Sequence, residues 1–142
     1  QAQWKPNDDT AYKVAHYKEQ LDGSYALADT DNLTGTTDSS VTPETKTYTG
    51  FTAPAAKTET IKGDGMLVVE YQYTRNPYTI TFDADGGSIT PTSITAKYGE
   101  SITLPTPERE GYGFNGWYNG SEQFTDATMG AENMTYNNHA KI

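Results

Sequence analysis

Hydrophobic and polar residues alternate with a period of two in four short stretches of the chain. The stretches are residues 12–17, 66–73, 78–82 and 94–98. Alternation of this kind is typical of β-strands, whose successive side chains point to opposite faces of a sheet. Turn-forming residues separate the stretches, and Asn119-Gly120 is a strong hairpin signal. The pattern therefore predicts a chain built mainly from strands that are joined by turns.

Two further positions carry the signal for the start of a helix. In Thr42-Pro43-Glu44, and again in Thr106-Pro107-Glu108, the threonine can cap a helix and the proline suits its first position. The acid then falls in the first turn, where it complements the helix dipole. Gly50 follows closely and limits the first helix to two turns. The predicted fold class is therefore β-rich α+β, with mostly antiparallel sheets and one short helix in each half.

The second half of the chain repeats landmarks of the first half at an offset of 64 residues. This offset relates the two Thr-Pro-Glu signals, relates Tyr48 to Tyr112, and relates Gly23-Ser24 to Gly87-Ser88. Agreement of several landmarks in one register indicates an internal repeat. We therefore expect a polar lead-in followed by two modules: residues 1–10, 11–76 and 77–142.

An acidic, glycine-rich cluster lies between two predicted strands of the second module. Asp83, Asp85, Gly86 and Gly87 fit either the bend of a hairpin or part of a cation site. Glycine supplies the positive φ angles of tight turns, and Gly23 occupies the equivalent turn of the first module. Calcium needs six to eight oxygen ligands, which is more than two aspartates offer. We interpret the three glycines as structural and keep a cation site as the alternative.

Other groups with potential chemistry do not form a catalytic set. His16 falls on the apolar face of the first strand, which favours a partly buried histidine with satisfied hydrogen bonds, and His139 falls in a polar tail. Asp29 and Asp31 fit a solvated strand end, with a cation site as the alternative. The sequence shows no nucleophile–base pair, phosphate loop or cofactor motif. We therefore predict no catalytic residues, no cofactor and no enzymatic activity, and we assign no metal ligands.

Charge and composition exclude several classes of partner. The formal net charge is −9, with only ten Lys and Arg residues, whereas nucleic acid and anionic membranes attract clustered basic residues. Cysteine is absent, which excludes disulfides and thiolate chemistry. No apolar run approaches the roughly twenty residues of a membrane-spanning helix. We expect no nucleic-acid binding and no membrane insertion in this segment.

Aromatic residues supply the candidate contact groups. Trp117 lies between Gly116 and the hairpin signal, and a small module needs such a large apolar side chain in its core. Structural roles are also assigned to Tyr112 and Phe114. Tyr118 points to the opposite face of the strand from Trp117, which makes it available for contact. The candidate ligand-binding residues are Tyr118, Tyr17 and Trp4.

Five sequence blocks of the second module occur in a specific order: residues 78–87, 97–100, 104–107, 109–112 and 114–118. Together they make residues 77–142 resemble the Listeria–Bacteroides repeat, the B-repeat of internalin B. That family tends to close in Ala-Lys-Trp, whereas this chain has Ala140-Lys141-Ile142, so we expect an altered last strand. The first module, residues 11–76, is similar to a mucin-binding-protein (MucBP) repeat in these blocks: residues 12–17, 21–25, 48–51 and 69–73.

Both resemblances imply β-grasp, ubiquitin-like modules that occur in tandem on bacterial surface proteins and have no catalytic residues to carry over. They imply a non-catalytic segment of an extracellular, surface-anchored protein, which acts as an adhesin module or a stalk spacer. The alternative is a binding module for carbohydrate or for a host glycoprotein such as mucin, through exposed tyrosines. The expected partners are host glycans, mucin or other surface proteins, and the modules are expected to be monomeric.

Overall fold

The structure, a computed structural model, describes residues 3–119, 122–124 and 128–137. Within these residues the strands β1 to β11 are Thr10–Glu19, Tyr25–Gly35, Ser40–Val41, Phe51–Thr52, Glu59–Thr60, Val68–Arg75, Pro77–Asp83, Ser93–Lys97, Trp117–Asn119, Glu122–Phe124 and Met134–Asn137. Strands and isolated bridges account for 48% of the described residues, which contain no helix. The predicted α+β class is therefore wrong, because the fold is all-strand.

The chain divides into two compact units, Gln1–Arg75 and Asn76–Ile142. In unit 1 the sheet order is β2-β1-β6-β4, and β3 pairs with β5 in a separate ribbon. Strands β1 and β2 form a hairpin whose turn contains Gly23, with a φ angle of 88°. The last long strand, β6, runs parallel to β1. The alternation of residues 12–17 and 66–73 thus becomes one buried face, and its core consists of Tyr12, Val14, Ile61, Val69, Tyr71 and Tyr73.

Unit 2 has a five-stranded sheet in the order β10-β9-β11-β7-β8. Here too a hairpin, β7 with β8, lies beside a last strand, β11, that runs parallel to the first strand of the unit. The antiparallel pairing of β9 with β10 agrees with the Asn119-Gly120 hairpin signal, although Gly120 itself lies outside the described residues. The buried core is Ile80, Phe82, Ala96, Ile102, Trp117, Met129 and Tyr136.

The first predicted helix is absent, and tyrosine hydroxyl groups of the unit 1 core bond to the backbone of that segment. Tyr71 donates from its hydroxyl to the carbonyl oxygen of Pro43 at 2.6 Å, and the Lys46 N–H donates to the Tyr73 hydroxyl at 2.7 Å. These backbone groups are therefore satisfied by side chains of β6 instead of by a helical turn. Every second residue from 45 to 49 is a threonine, and β-branched residues have low helix propensity. The segment consequently forms no helix.

The second predicted helix is also absent, and its segment forms a β-bridge with a distant part of the chain. Glu108 and Ser88 exchange two backbone hydrogen bonds, with N···O distances of 2.7 and 2.8 Å. The carbonyl of Pro105 accepts a hydrogen bond from the Trp117 ring at 2.9 Å. In a helix capped by Thr106 the Glu108 carbonyl would accept from the Tyr112 N–H, but here it accepts from Ser88, and Tyr112 donates to the Arg109 carbonyl instead. The helix that the implied β-grasp modules would carry is therefore missing from the described part of both units.

Candidate functional site

Unit 2 contains a concave pocket of about 260 Å³, which we term the loop pocket. Its lining residues come from three loop segments, residues 84–87, 107–109 and 112–114. The bridge between Ser88 and Glu108 holds the first two segments together. Binding residues are often found on loops that a sheet positions rigidly. The loop pocket is therefore the candidate functional site.

The acidic, glycine-rich cluster forms the bend that brings the first segment to the pocket. Asp85 and Gly86 have φ angles of 51° and 88°, in the left-handed region that Gly and Asp tolerate best. The Asp83 carboxylate accepts a hydrogen bond from the backbone N–H of Asp85 at 2.9 Å. A Cβ atom at Gly87 would lie 2.8 Å from the carbonyl oxygen of Glu108. Only glycine therefore allows the first two segments to approach this closely.

Tyr112 presents an exposed ring to the pocket. Its exposed fraction is 66%, and the guanidinium carbon of Arg109 lies 4.0 Å from its ring centroid. Arg109 also donates from Nη1 to the carbonyl oxygen of Asp85 at 3.4 Å. A Cβ atom at Gly111 or Gly113 would meet no atom within 4 Å. The ring therefore lies at the surface with the Arg109 guanidinium over one face, and the structural role assigned to Tyr112 stays a prediction.

Phe114 connects the pocket to the core of unit 2. Its exposed fraction is 38%, and its ring meets that of Trp117 edge-on at a centroid distance of 5.2 Å. Trp117 is only 2% exposed and packs against Phe82, with a distance of 4.8 Å between the ring centroids. Phe114 therefore has a packing role and a partly exposed pocket face, whereas Trp117 lies within the core.

The side chains of the pocket combine apolar faces with hydrogen-bonding groups. Tyr112 and Phe114 offer ring faces, the carboxylates of Asp85 and Glu108 accept hydrogen bonds, and Arg109 donates them. This combination suits a ligand that presents both CH surfaces and hydroxyl groups. Within the described ranges, no group of three or more His, Cys, Asp or Glu side chains is placed to hold a metal ion.

A second cavity, of about 240 Å³, shares Glu108 with the loop pocket. Its other lining residues are Ser88, Ile89, Thr90 and Thr106. This lining provides hydroxyl groups but no aromatic face. The loop pocket is therefore the stronger candidate for a site that recognises a ligand by stacking.

The residues proposed from the sequence as ligand contacts lie outside both cavities. Tyr118 is half-buried and donates from its hydroxyl to the carbonyl oxygen of Asn115 at 3.1 Å. Tyr17 is half-buried on β1, where its register neighbour on β2 is Leu27, itself 57% exposed. Trp4 is 93% exposed in the lead-in. The structure does not gather these three side chains into one described site.

A hydrogen-bonded network surrounds His16 in unit 1. The ring is fully buried, its Nδ1 lies 2.8 Å from the Tyr73 hydroxyl, and its Nε2 lies 2.9 Å from Oδ2 of Asp31. Because the Tyr73 oxygen accepts from the Lys46 N–H, its own proton can go to Nδ1, and Nε2–H can then donate to Asp31. Both ring nitrogens are thus satisfied, as the sequence led us to expect.

The two aspartates on β2 are also satisfied by neighbouring side chains. Lys46 places Nζ 3.2 Å from Asp31. The hydrogen bond from His16 lowers the pKa of Asp31, and Lys46 acts in the same direction. Asp29 accepts a short hydrogen bond from the Tyr48 hydroxyl, and burial together with this bond raises the pKa of Tyr48. These contacts fit a structural role for the aspartates at the strand edge better than a cation site.

Sequence patterns did not identify the loop pocket. Asp85, Arg109 and Tyr112 belong to different blocks of the chain, and only the fold brings them together. One local signal was available, since glycines flank Tyr112 on both sides and provide little apolar surface to cover its ring. That signal would have favoured an exposed tyrosine over a core tyrosine at this position.

Residues 78–140 match the family model of the Listeria-Bacteroides repeat domain. The match confirms the resemblance for the second module. The MucBP-like repeat in residues 11–76 is not shown by the comparison and stays a prediction. The expected alteration of the last strand concerns residues 140–142, which lie outside the described residues, as does His139.

Two proteins of Evansella cellulosilytica contain segments similar to this chain. A "Putative Gly-rich membrane protein" is 41% identical over 61 residues, which is 42% of this chain and 7% of that protein. A "Putative membrane protein" is 38% identical over 85 residues, which is 56% of this chain and 12% of that protein. The chain thus corresponds to a small part of these relatives, and the matches are compatible with a segment of a bacterial surface protein. No helix in the described residues is long and apolar enough to cross a membrane.

Proposed function

We propose that this chain is a non-catalytic segment of an extracellular protein of the bacterial surface, and that it acts as an adhesin module. The ligand is the carbohydrate of host glycans or of a glycoprotein such as mucin, and the loop pocket binds it. The observation that carries this proposal is the pocket itself, in which Tyr112 and Phe114 expose ring faces beside hydrogen-bonding side chains. The repeat family and the names of the relatives support the surface location.

The exposure of Tyr112 is the part of the geometry that a purely structural role explains least well. The aromatic residues of the buried core of unit 2, Phe82, Trp117 and Tyr136, are almost fully covered, whereas Tyr112 is 66% exposed. Aromatic rings left in solvent forgo the favourable free energy of burial, and rings in a concave site commonly regain it by covering a ligand. The CH face of a sugar ring is a suitable surface for such contact, and its hydroxyl groups suit the carboxylates and the guanidinium nearby.

Binding of the whole chain to immobilised mucin and to a panel of neutral glycans tests the proposal. The Tyr112→Ala variant should bind at least about fivefold more weakly, because one aromatic contact is worth roughly 0.5–1.5 kcal/mol beyond its buried area. Tyr25→Ala is the matched control, since Tyr25 is a 38% exposed tyrosine of unit 1, and it should leave binding unchanged. Equal binding by wild type and Tyr112→Ala, or no binding to any glycan, would contradict the assignment.

A stalk spacer is the second candidate function, and the connection between the units favours it. Strand β6 ends at Arg75 and strand β7 begins at Pro77, so Asn76 is the whole connection. Proline fixes one backbone angle and restricts the residue before it, so the backbone of this connection is restricted. If the chain binds no glycan, the spacer becomes the better assignment.

A further inference from the structure

Resting on the proposed function, we infer that the loop pocket selects an uncharged sugar and discriminates against sugars that carry a carboxylate or a sulfate. The inference concerns the class of glycan that the pocket accepts. It depends on three features of unit 2, namely the charges at the pocket, the contacts of its one guanidinium group, and the size of the cavity.

Negative charge dominates around the pocket. Its lining includes the carboxylates of Asp85 and Glu108 and only one basic side chain, Arg109. Unit 2 as a whole contains eight Asp and Glu residues against three Lys and Arg residues. An anionic ligand would therefore approach a surface of its own sign, and unlike an uncharged ligand it would be repelled.

Arg109 would be the obvious partner for an anionic sugar, but the pocket already uses its guanidinium group. Its central carbon lies 4.0 Å from the ring centroid of Tyr112, and Nη1 donates to the carbonyl oxygen of Asp85 at 3.4 Å. A Cβ atom at Gly86 would lie 3.4 Å from the same Nη1, so the backbone of the turn lies close against the guanidinium. Bidentate binding of a carboxylate uses two N–H donors along one edge of the planar guanidinium group. Because Nη1 already donates to the Asp85 carbonyl, binding through the edge that contains Nη1 would break a contact that helps to shape the pocket.

The size of the pocket fits one sugar unit. Its volume of about 260 Å³ lies just below the roughly 300–1,000 Å³ of pockets that hold drug-sized molecules. An additional charged residue at the end of a glycan would therefore lie outside the pocket, beside a unit in which acidic residues outnumber basic ones. Uncharged hydroxyl and acetamido groups can donate hydrogen bonds to the same carboxylates.

The test compares two probes that differ by one acidic sugar, N-acetyllactosamine and its sialylated form, with the whole chain in 50 mM and 500 mM NaCl. We expect the sialylated probe to bind at least about tenfold more weakly at low salt, and the difference to shrink at high salt because screening shortens the range of the repulsion. Glu108→Gln should bind the sialylated probe more tightly than wild type does at low salt, although it also weakens a hydrogen-bond acceptor for the neutral probe. Glu70→Gln, at an exposed position of β6 in unit 1, is the control and should change the binding of neither probe.

The outcomes separate the inference from the proposed function. Binding of neither probe would count against carbohydrate binding itself. Equal or tighter binding of the sialylated probe would overturn the inference and leave carbohydrate binding in place. A preference for the neutral probe that responds neither to salt nor to Glu108→Gln would also overturn it, because steric exclusion would then be the cause.

Discussion

Replacement of Trp117 by alanine should unfold unit 2 and leave unit 1 folded. The side chain is 2% exposed, and its ring centroid lies 4.8 Å from that of Phe82. Its ring N–H donates to the carbonyl oxygen of Pro105 at 2.9 Å. Truncation of a buried tryptophan to alanine costs about 3–5 kcal/mol in the free energy of unfolding. The unpaired Pro105 carbonyl adds roughly 1 kcal/mol or more if it stays buried.

The consequence follows from the small size of unit 2. A core of this size rarely supplies more than about 3–5 kcal/mol of stability, so the loss equals or exceeds what is available. The cores of the two units have no residue in common. Unit 1 should therefore keep its structure while the tertiary contacts of unit 2, including those of Phe114, are lost.

Amide NMR spectra of the whole chain are the appropriate assay, because they report each unit separately. In Trp117→Ala, the dispersed signals of residues 76–137 should collapse while those of β1, β2 and β6 persist. Trp117→Phe keeps an aromatic ring and loses the hydrogen bond, so it should cost less. Trp4→Ala should stay within about 0.5 kcal/mol of wild type, since Trp4 is 93% exposed.

Two results would refute this reasoning. If the signals of unit 2 survive in Trp117→Ala at a nearly unchanged melting temperature, the side chain does not support the core as its burial indicates. If unit 1 unfolds together with unit 2, the units share their stability, and the division into separate cores fails.

Three further predictions address the turn, the tyrosine network and the response to pH. Gly87→Ala should destabilise unit 2 by roughly 1–3 kcal/mol in urea unfolding, because the new Cβ atom would lie 2.8 Å from a backbone oxygen, and an unchanged midpoint would contradict this. The Tyr71 hydroxyl donates to the Pro43 carbonyl at 2.6 Å and accepts from the Lys57 N–H at 3.0 Å. Tyr71→Phe removes both hydrogen bonds, so thermal unfolding should show that the free energy of unfolding of unit 1 falls by about 1–3 kcal/mol. The pKa of Asp31 is lowered in the folded state. Its ionised form therefore contributes to the stability of unit 1 in full above the pKa of the unfolded chain, about 3.9, and this contribution is lost as the pH falls through the folded pKa. Unfolding measured between pH 7 and pH 2 should show this loss in wild type and less of it in Asp31→Asn, and identical profiles would argue against the assignment.

Local sequence patterns predicted the long strands, the main turns and the repeat family of the second module. Residues 12–17 and 66–73 alternate because one face of a strand is buried, and this rule is local, so β1 and β6 were recognisable without knowledge of their neighbours. Glycine in the turns at residues 23 and 86 follows an equally local rule, since positive φ angles favour it. The blocks of the second module were specific enough to identify the Listeria-Bacteroides repeat in residues 78–140.

Contacts between distant segments overrule some of these local signals and create the candidate site. The Thr-Pro-Glu signals are genuine capping patterns, but hydroxyl groups of Tyr71 and Tyr73 and the backbone of Ser88 supply competing hydrogen bonds from distant parts of the chain. The loop pocket arises in the same way, because Gly87 lets two segments more than twenty residues apart approach until Arg109 covers one face of the Tyr112 ring. Periodicity reports which side of a strand is apolar, whereas burial depends on which other segment packs there, and that is settled only when the strands pair.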